Sequence, residues 1–243
     1  MTAKNKKESS NDSQTSKVST VSEENAARTF SDILLPKTKR HSASVTYLIA
    51  LLASVCAIAA SLILSAETLY SARHPGVTLS CDVNAEVSCS TVAQSWQAEV
   101  IKLGNLSFPN AFFGISAESV FITIAVLGLA RAKFPRRFSI CAWFGSLSAL
   151  AYAYWLFTQS MYVINALCPW CLLLMFSTTI QFMAFSHATV TAQNIPEHNG
   201  KYAKLRNFLN TYYRLNCDLA VDTAWIGIVI LLIFLKHGSA IIK

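Results

Sequence analysis

The sequence predicts an all-α integral membrane protein, and three observations predict it. Of its 243 residues 53% are hydrophobic and only 14% are charged, against roughly a quarter charged in soluble domains. The apolar residues fall into blocks near the roughly 20 residues a helix needs to cross a bilayer. The Lys and Arg residues collect in alternate connectors between those blocks, the pattern that orients membrane helices.

Taken in order, residues 1–41 are rich in Ser, Asn, Lys and Glu with few large apolar groups. Such a segment cannot bury enough surface to order itself and is expected to be a disordered tail. The first apolar block, 45–66, starts too late and runs too long for a cleaved secretory signal. A connector over 67–110 follows, then blocks at 111–130 and 138–157, a short connector over 158–166, and a fourth block at 167–185. The fifth block, 219–235, is the shortest and carries Asp222 near its start. The expected organisation is a tail (1–41), a four-helix membrane domain (42–188), a connector (189–217), and a fifth membrane helix with a short tail (218–243).

Charge sets the orientation. The tail holds eight Lys and Arg residues, connector 67–110 two, 131–137 four, 158–166 none, 186–218 four, and the C-terminal end two. The eight-four-four set lies on one side, which the positive-inside rule makes cytoplasmic. The net charge of +7 is thus explained by topology, and no nucleic-acid surface is expected. The N-terminus is inside, and connectors 67–110 and 158–166 face outward. Of the seven cysteines, Cys81 and Cys89 then lie in the outer loop, and Cys168 and Cys171 open the fourth helix from the same side. Cys56, Cys141 and Cys217 lie elsewhere and are expected to act as small core hydrophobes.

Cys168-Pro169-Trp170-Cys171 is a C-x-x-C at a helix start. Two intervening residues let the sulfurs meet across one turn, so a reversible disulfide can close with little backbone movement. Pro169 fits the first helical position, which leaves Cys168 at the N-cap, where unpaired amides and the helix dipole favour a thiolate. Such a thiol both attacks and leaves well in disulfide exchange. A zinc site is a weaker reading, because only His74 lies nearby on that side; no metal is expected. A structural disulfide, for instance Cys81–Cys89 stapling the loop, is the plainer rival. A dithiol at a membrane boundary needs an electron acceptor, and a lipid-soluble quinone can dock between the helices beside Cys171.

Cys81-Asp82-Val83, Ser88-Cys89-Ser90, Asn110-Ala111-Phe112-Phe113-Gly114 and Cys168-x-x-Cys171, in that order and spacing, resemble the vitamin K epoxide reductase family over about residues 45–188. The likeness is strongest to its bacterial, quinone-linked members. It implies a four-helix transmembrane bundle around a quinone pocket capped by loop 67–110, with an amphipathic stretch over 90–103 resting on the membrane; the fifth helix is additional. It implies that Cys81 meets the partner, Cys89 exchanges with Cys168, and Cys171 delivers electrons to menaquinone or ubiquinone. Asn110 matches a residue that hydrogen-bonds a quinone oxygen, Phe113 a pocket-wall aromatic, and Ser95 a Ser/Thr position of the loop.

The implied activity is a quinone-dependent thiol oxidase of a bacterial cytoplasmic membrane, supporting disulfide formation in secreted proteins. Because no thioredoxin-like domain is fused to the chain, its expected donor is a separate exported thioredoxin-fold oxidase resembling DsbA. Reduction of vitamin K or its epoxide is the same-fold alternative, although Met175 stands where animal vitamin K-reducing members carry a tyrosine. A membrane scaffold with a structural disulfide is the non-enzymatic one. Glu118 is the one acid within a confident span. Intramembrane acids are functional candidates, but Glu118 lies eight residues beyond Asn110 and offset around the helix, so a structural acid is expected.

Overall fold

The computed structural model describes residues 43–74, 76–103, 106–191, 208–209, 211–212 and 217–241. These belong to one compact unit, His41–Lys243; the expected tail over 1–41 and most of the connector 189–217 fall outside the described residues. In order come α1 (Ala43–Arg73), the short α2 (Cys89–Ala93), a 3-10 turn (Trp96–Ala98) and strands β1 (Glu99–Leu103) and β2 (Leu106–Pro109). Then come α3 (Asn110–Leu129), α4 (Arg136–Gln159) continuing as a π turn (Ser160–Ile164), α5 (Pro169–Thr191) and α6 (Cys217–Ile241).

Five of these helices are long and apolar enough to cross a membrane, and they make the chain a multi-pass membrane protein. The faces of α1 show why water is not the solvent. Ala50, Ser54, Ala57, Ala60 and Ser61 are fully buried, whereas Leu52 is 59% and Leu62 52% exposed. Large apolar groups outside and small or hydroxylated ones inside reverse the order of a soluble bundle, as lipid contact with close helix packing requires. Ser and Thr within the helices return their hydroxyls to the carbonyl one turn back, as Ser65 does to Ser61 (2.8 Å) and Thr179 to Met175 (2.8 Å).

The small residues let α1 pack closely against both α3 and α5, while α4 packs on α5. A Cβ on Gly114 would lie 2.5 Å from Ser61 Oγ, and one on Gly128 would enter the Tyr47 ring. Only glycine permits those two approaches of α3 to α1. Tyr47, Phe121, Ile124 and Phe185 fill one end of the interior. Phe157, Met161, Leu167 and Met175 fill the other, joined by Val229 and Ile233 of α6.

The structure corrects the sequence reading in several places. Helix α1 runs on to Arg73, so the first seven residues of the expected loop 67–110 are helical. Most of the short connector 158–166 is also helical, through the π turn to Ile164. It ends at Asn165, whose left-handed φ of 54°, tolerated by asparagine, turns the chain towards Cys168. Over the stretch 90–103, expected to be amphipathic with no secondary structure assigned, the chain is helical through Ala93 and in the 3-10 turn, and from Glu99 it is a strand pairing antiparallel with β2, Ile101 opposite Phe108. The β-branched Val100 and Ile101 favour that extended state. Cys56 and Cys141 are exposed rather than packed inside, and Cys217 is half-buried, so their small apolar side chains cover helix surfaces instead of filling the core.

Candidate active site

Between α1 and α2 the chain winds around the Asp82 carboxylate. It accepts from Leu79 N (2.7 Å), Ser88 Oγ (2.8 Å) and Ser90 N (2.9 Å). Slight desolvation works to raise the Asp82 pKa, but these amide and hydroxyl donors prevail and hold it down to about 2. Asn84 Oδ1 accepts from Glu86 N (3.0 Å) and Val87 N (2.8 Å), an Asx turn that reverses the chain. Ser88 caps α2 by accepting from Thr91 N (3.2 Å). The fold of residues 79–90 thereby brings Cys81 to Cys89, and the two are joined in a disulfide with Cα atoms 5.7 Å apart.

A second connection carries this loop to α5. Val87 and Leu167 form a parallel bridge in which Ser88 N donates to Leu167 O (3.0 Å) and Leu167 N to Glu86 O (2.8 Å). Cys168 follows the bridge directly on one side, and Cys89 follows it by two residues on the other. Cys89 Sγ lies 3.2 Å from Cys168 Sγ, with both residues buried. Cys168 precedes α5, which begins at Pro169, and its sulfur accepts the Cys171 amide at 3.3 Å. The Cys171 thiol is the chief influence lowering the Cys168 pKa from its ordinary value; burial opposes it, and the amides of Cys171 and Trp170 add to it. Cys168 and Cys171 are free thiols. Leu79 and Trp170 pack around the sulfur cluster.

Beside the sulfurs is a cavity of about 280 Å³, open at one side and walled mainly by apolar side chains, near the lower end of the range for small-molecule sites. Cys89, Cys168, Cys171, Asn110, Phe113 and Ser95 all line it. Asn110 heads α3 and donates through Nδ2 to Gln97 O (2.6 Å), while its Oδ1 is buried with no partner among the described residues. Phe113 follows one turn later. The Ser95 hydroxyl is engaged with Val92 O at 2.7 Å, so it shapes the turn after α2 as well as facing the cavity.

Two further groups, Gln97 and Glu67, were not legible as site residues, and a third, Glu118, was expected to be a structural acid. Gln97 is buried and orients Asn110 through its carbonyl. Glu67, in the last turns of α1, places Oε2 3.4 Å from Cys81 Sγ and accepts from Ser80 Oγ through its other oxygen. Glu67, Cys81 and Cys89 lie close enough for a metal, but while the two sulfurs are bonded to each other they are not thiolate ligands. Glu118 also lines the cavity, 3% exposed and with one carboxyl oxygen lacking a partner among the described residues. Its offset from Asn110 around α3 does not separate the two, because the cavity extends along the helix past both.

The model of the vitamin K epoxide reductase family matches residues 48–185, more than half of the chain. The chain belongs to the vitamin K epoxide reductase family. No curated protein matches it. Family membership makes it a membrane oxidoreductase, with Cys81–Cys89 as a disulfide-bonded pair. The matched segment takes in both cysteine pairs and Asn110 and ends before α6 begins.

Proposed function

We propose that the chain is a membrane thiol oxidase, which takes electrons from an exported thioredoxin-fold (DsbA-like) protein and passes them through two cysteine pairs to a membrane quinone. The reading rests on one distance, the 3.2 Å between Cys89 Sγ and Cys168 Sγ while Cys89 is bonded to Cys81. That is the approach a thiol–disulfide exchange needs, and a scaffold with a stapled loop has no use for it.

The steps balance as follows. A partner thiolate attacks Cys81 Sγ and displaces Cys89; the partner's second thiolate then displaces Cys81, leaving the partner oxidised and the loop as a dithiol. Cys89 attacks Cys168 in a Cys168–Cys171 disulfide and releases Cys171. Cys81 next attacks Cys89, which restores the loop disulfide and frees Cys168. Cys168 and Cys171 then give up two electrons and two protons as their disulfide closes, and the quinone takes both to become quinol. The state with Cys81–Cys89 joined and Cys168 and Cys171 free is the one that precedes quinone reduction. Lowering the Cys168 pKa favours the thiolate required on both sides of the exchange.

The ring of the quinone fits the apolar cavity between Asn110 and Cys171. The second N–H of Asn110 is free to donate to a quinone oxygen, and its unpartnered Oδ1 can accept from the quinol hydroxyl formed there. Phe113 supplies wall, and Ser95 holds the turn that closes the cavity. Met175, also on the wall, has no hydroxyl to protonate an epoxide oxygen, which favours an unmodified quinone over vitamin K epoxide. Charge alternation supports a cysteine face on the outer side, which suits a bacterial cytoplasmic membrane, and the reading takes the four family helices with α6 added as a four-plus-one bundle.

Anaerobic mixing of the reduced protein with menaquinone or ubiquinone, following sulfur–quinone absorbance and quinol, tests the reading. Quinol should form in proportion to thiols lost from Cys168 and Cys171. Unchanged thiols with either quinone would remove the proposal, and turnover of vitamin K epoxide alone would favour the reductase alternative.

A further inference from the structure

Helix α6 follows the segment that the family model matches, and its C-terminal end meets the loop that carries the cysteines. His237 is 3% exposed and its Nδ1 donates to Glu86 Oε2 at 2.9 Å; its other ring nitrogen has no partner among the described residues. Glu86 is therefore the one polar anchor of a buried ring. The backbone carbonyl of the same Glu86 accepts from Leu167 N in the bridge that sets Cys89 against Cys168. The neighbouring residue works on the other side of that bridge. Lys236 Nζ donates to Met161 O and to Asn165 Oδ1 (3.1 Å), and stands 4.4 Å from the centroid of the Tyr162 ring. Met161 and Asn165 belong to the π turn and the left-handed residue that lead into Leu167 and Cys168.

We propose that Lys236 and His237 form a positioning clamp, in which α6 holds both strands of the Val87–Leu167 bridge and keeps Cys89 Sγ in exchange contact with Cys168 Sγ. Neither residue touches sulfur or the cavity; both act through Glu86, Met161 and Asn165. The bridge is a single pair of backbone hydrogen bonds. A contact of that size, worth about 1 kcal/mol net per bond, opens readily unless its flanks are held. Glu86 is nearly half exposed, so what fixes its position is the buried ring behind it. The charge-assisted bonds of Lys236 and of the His237–Glu86 pair lie partly out of water, where they weigh more than surface pairs. The inference rests on the relay reading, because it concerns the rate of one step in it.

The test uses the full chain in nanodiscs, reduced anaerobically at all four site cysteines and mixed with excess quinone. Two quinols form per protein. The first takes electrons from Cys168 and Cys171 directly; the second waits for Cys89 to reduce the new Cys168–Cys171 disulfide. In His237→Ala and in Glu86→Ala the second phase should slow about tenfold while the first keeps its rate, and the double variant should be no slower than either single one. His237→Gln, which can still donate to Glu86, should recover most of the rate. Glu86→Ala removes an exposed side chain and so reports the contact even where His237→Ala does not insert. Unchanged second phases, additive losses in the double variant, or equal slowing of both phases would each overturn the clamp. Absence of both phases in the unmodified protein would instead remove the relay.

Discussion

The two cysteine pairs sit within a few ångströms of each other in opposite environments. Cys81 and Cys89 belong to a loop organised by polar groups, with the Asp82 carboxylate accepting from Leu79, Ser88 and Ser90 and the Asn84 turn beside it. Cys168 and Cys171 open an apolar helix, with a cavity of about 280 Å³ beside them. A loop held by water-compatible hydrogen bonds can present a sulfur to a soluble partner. A helix start walled by apolar groups can meet a substrate that stays in the bilayer. The difference teaches that the proposed relay would be a change of solvent as much as a transfer of electrons, with the 3.2 Å gap between Cys89 and Cys168 as the place where the change occurs.

The largest effect should come from removing the sulfur on the bilayer side. Cys171→Ala leaves the polar loop untouched but deletes the sulfur beside the proposed quinone cavity, and quinone reduction should fall at least about a thousandfold, a loss of roughly 4 kcal/mol of transition-state stabilisation. Insertion, judged by circular dichroism, should be unchanged. Retained quinone reduction would break the division of labour between the pairs.

Removing the inner sulfur of the loop separates the two environments. In Cys89→Ala the partner can still bond to Cys81, but nothing carries the electrons on, so turnover with the partner should fall at least about a hundredfold. A mixed disulfide through Cys81 should accumulate, visible on a non-reducing gel and mapped by mass spectrometry. Trapping through Cys168 instead would reverse the assignment of outer and inner pairs.

How far this contrast could be read in the sequence depends on the range of the interaction that sets each part. The spans are local, and block length with charge alternation locates all five; the C-terminal ends of α1, α4 (through its π turn), α5 and α6 run six or seven residues further than the apolar blocks. The four cysteines lie together in the structure; the sequence groups them only through the Lys and Arg count, which sets the side each connector is expected to face. The hairpin of Glu99–Leu103 and Leu106–Pro109 was hidden, since a short apolar and polar alternation near a membrane suits an amphipathic helix as well as a strand. Glu67 beside Cys81 and His237 beside Glu86 had no signal at all. Each is a single polar residue near the end of a long apolar helix, and its partner lies 14 and 151 residues away. Glu118 shares the cavity wall with Asn110 despite its offset, because the angle on a helix fixes direction but not the extent of a cavity.

On the cavity side a smaller effect is expected from Asn110→Ala. It removes the donor proposed for the quinone oxygen and leaves Gln97 O without its 2.6 Å partner, while every sulfur stays in place. KM for quinone should rise about tenfold, roughly 1.4 kcal/mol, with the rate of loop exchange unchanged. Equal losses in both would mean that Asn110 supports the fold rather than the substrate.

The smallest effect belongs to the polar loop and concerns acid. The folded-state pKa of Asp82 is depressed from 3.8 to about 2. Its ionised form therefore stabilises the loop at any pH above its unfolded value, and that contribution is lost as pH falls from about 4 through about 2. The carboxylate is half-buried in a surface loop, so the contribution is modest, about 1 kcal/mol after screening. Asp82→Asn can still accept through one oxygen, but it turns an amide N–H₂ towards Leu79 N or Ser90 N, where a donor faces a donor. Hydrogen-exchange protection of the Leu79 and Ser90 amides in the oxidised protein should fall a few-fold between pH 4 and pH 2, beyond the intrinsic change. In Asp82→Asn protection should be lower throughout and show no such step, and the amides of α5 should be unaffected in both. A step that persists in the variant would assign the acid sensitivity to another group. A step that appears equally in α5 would show that the loop and the helix respond as one unit, and the contrast between the two cysteine environments would then be one of chemistry alone.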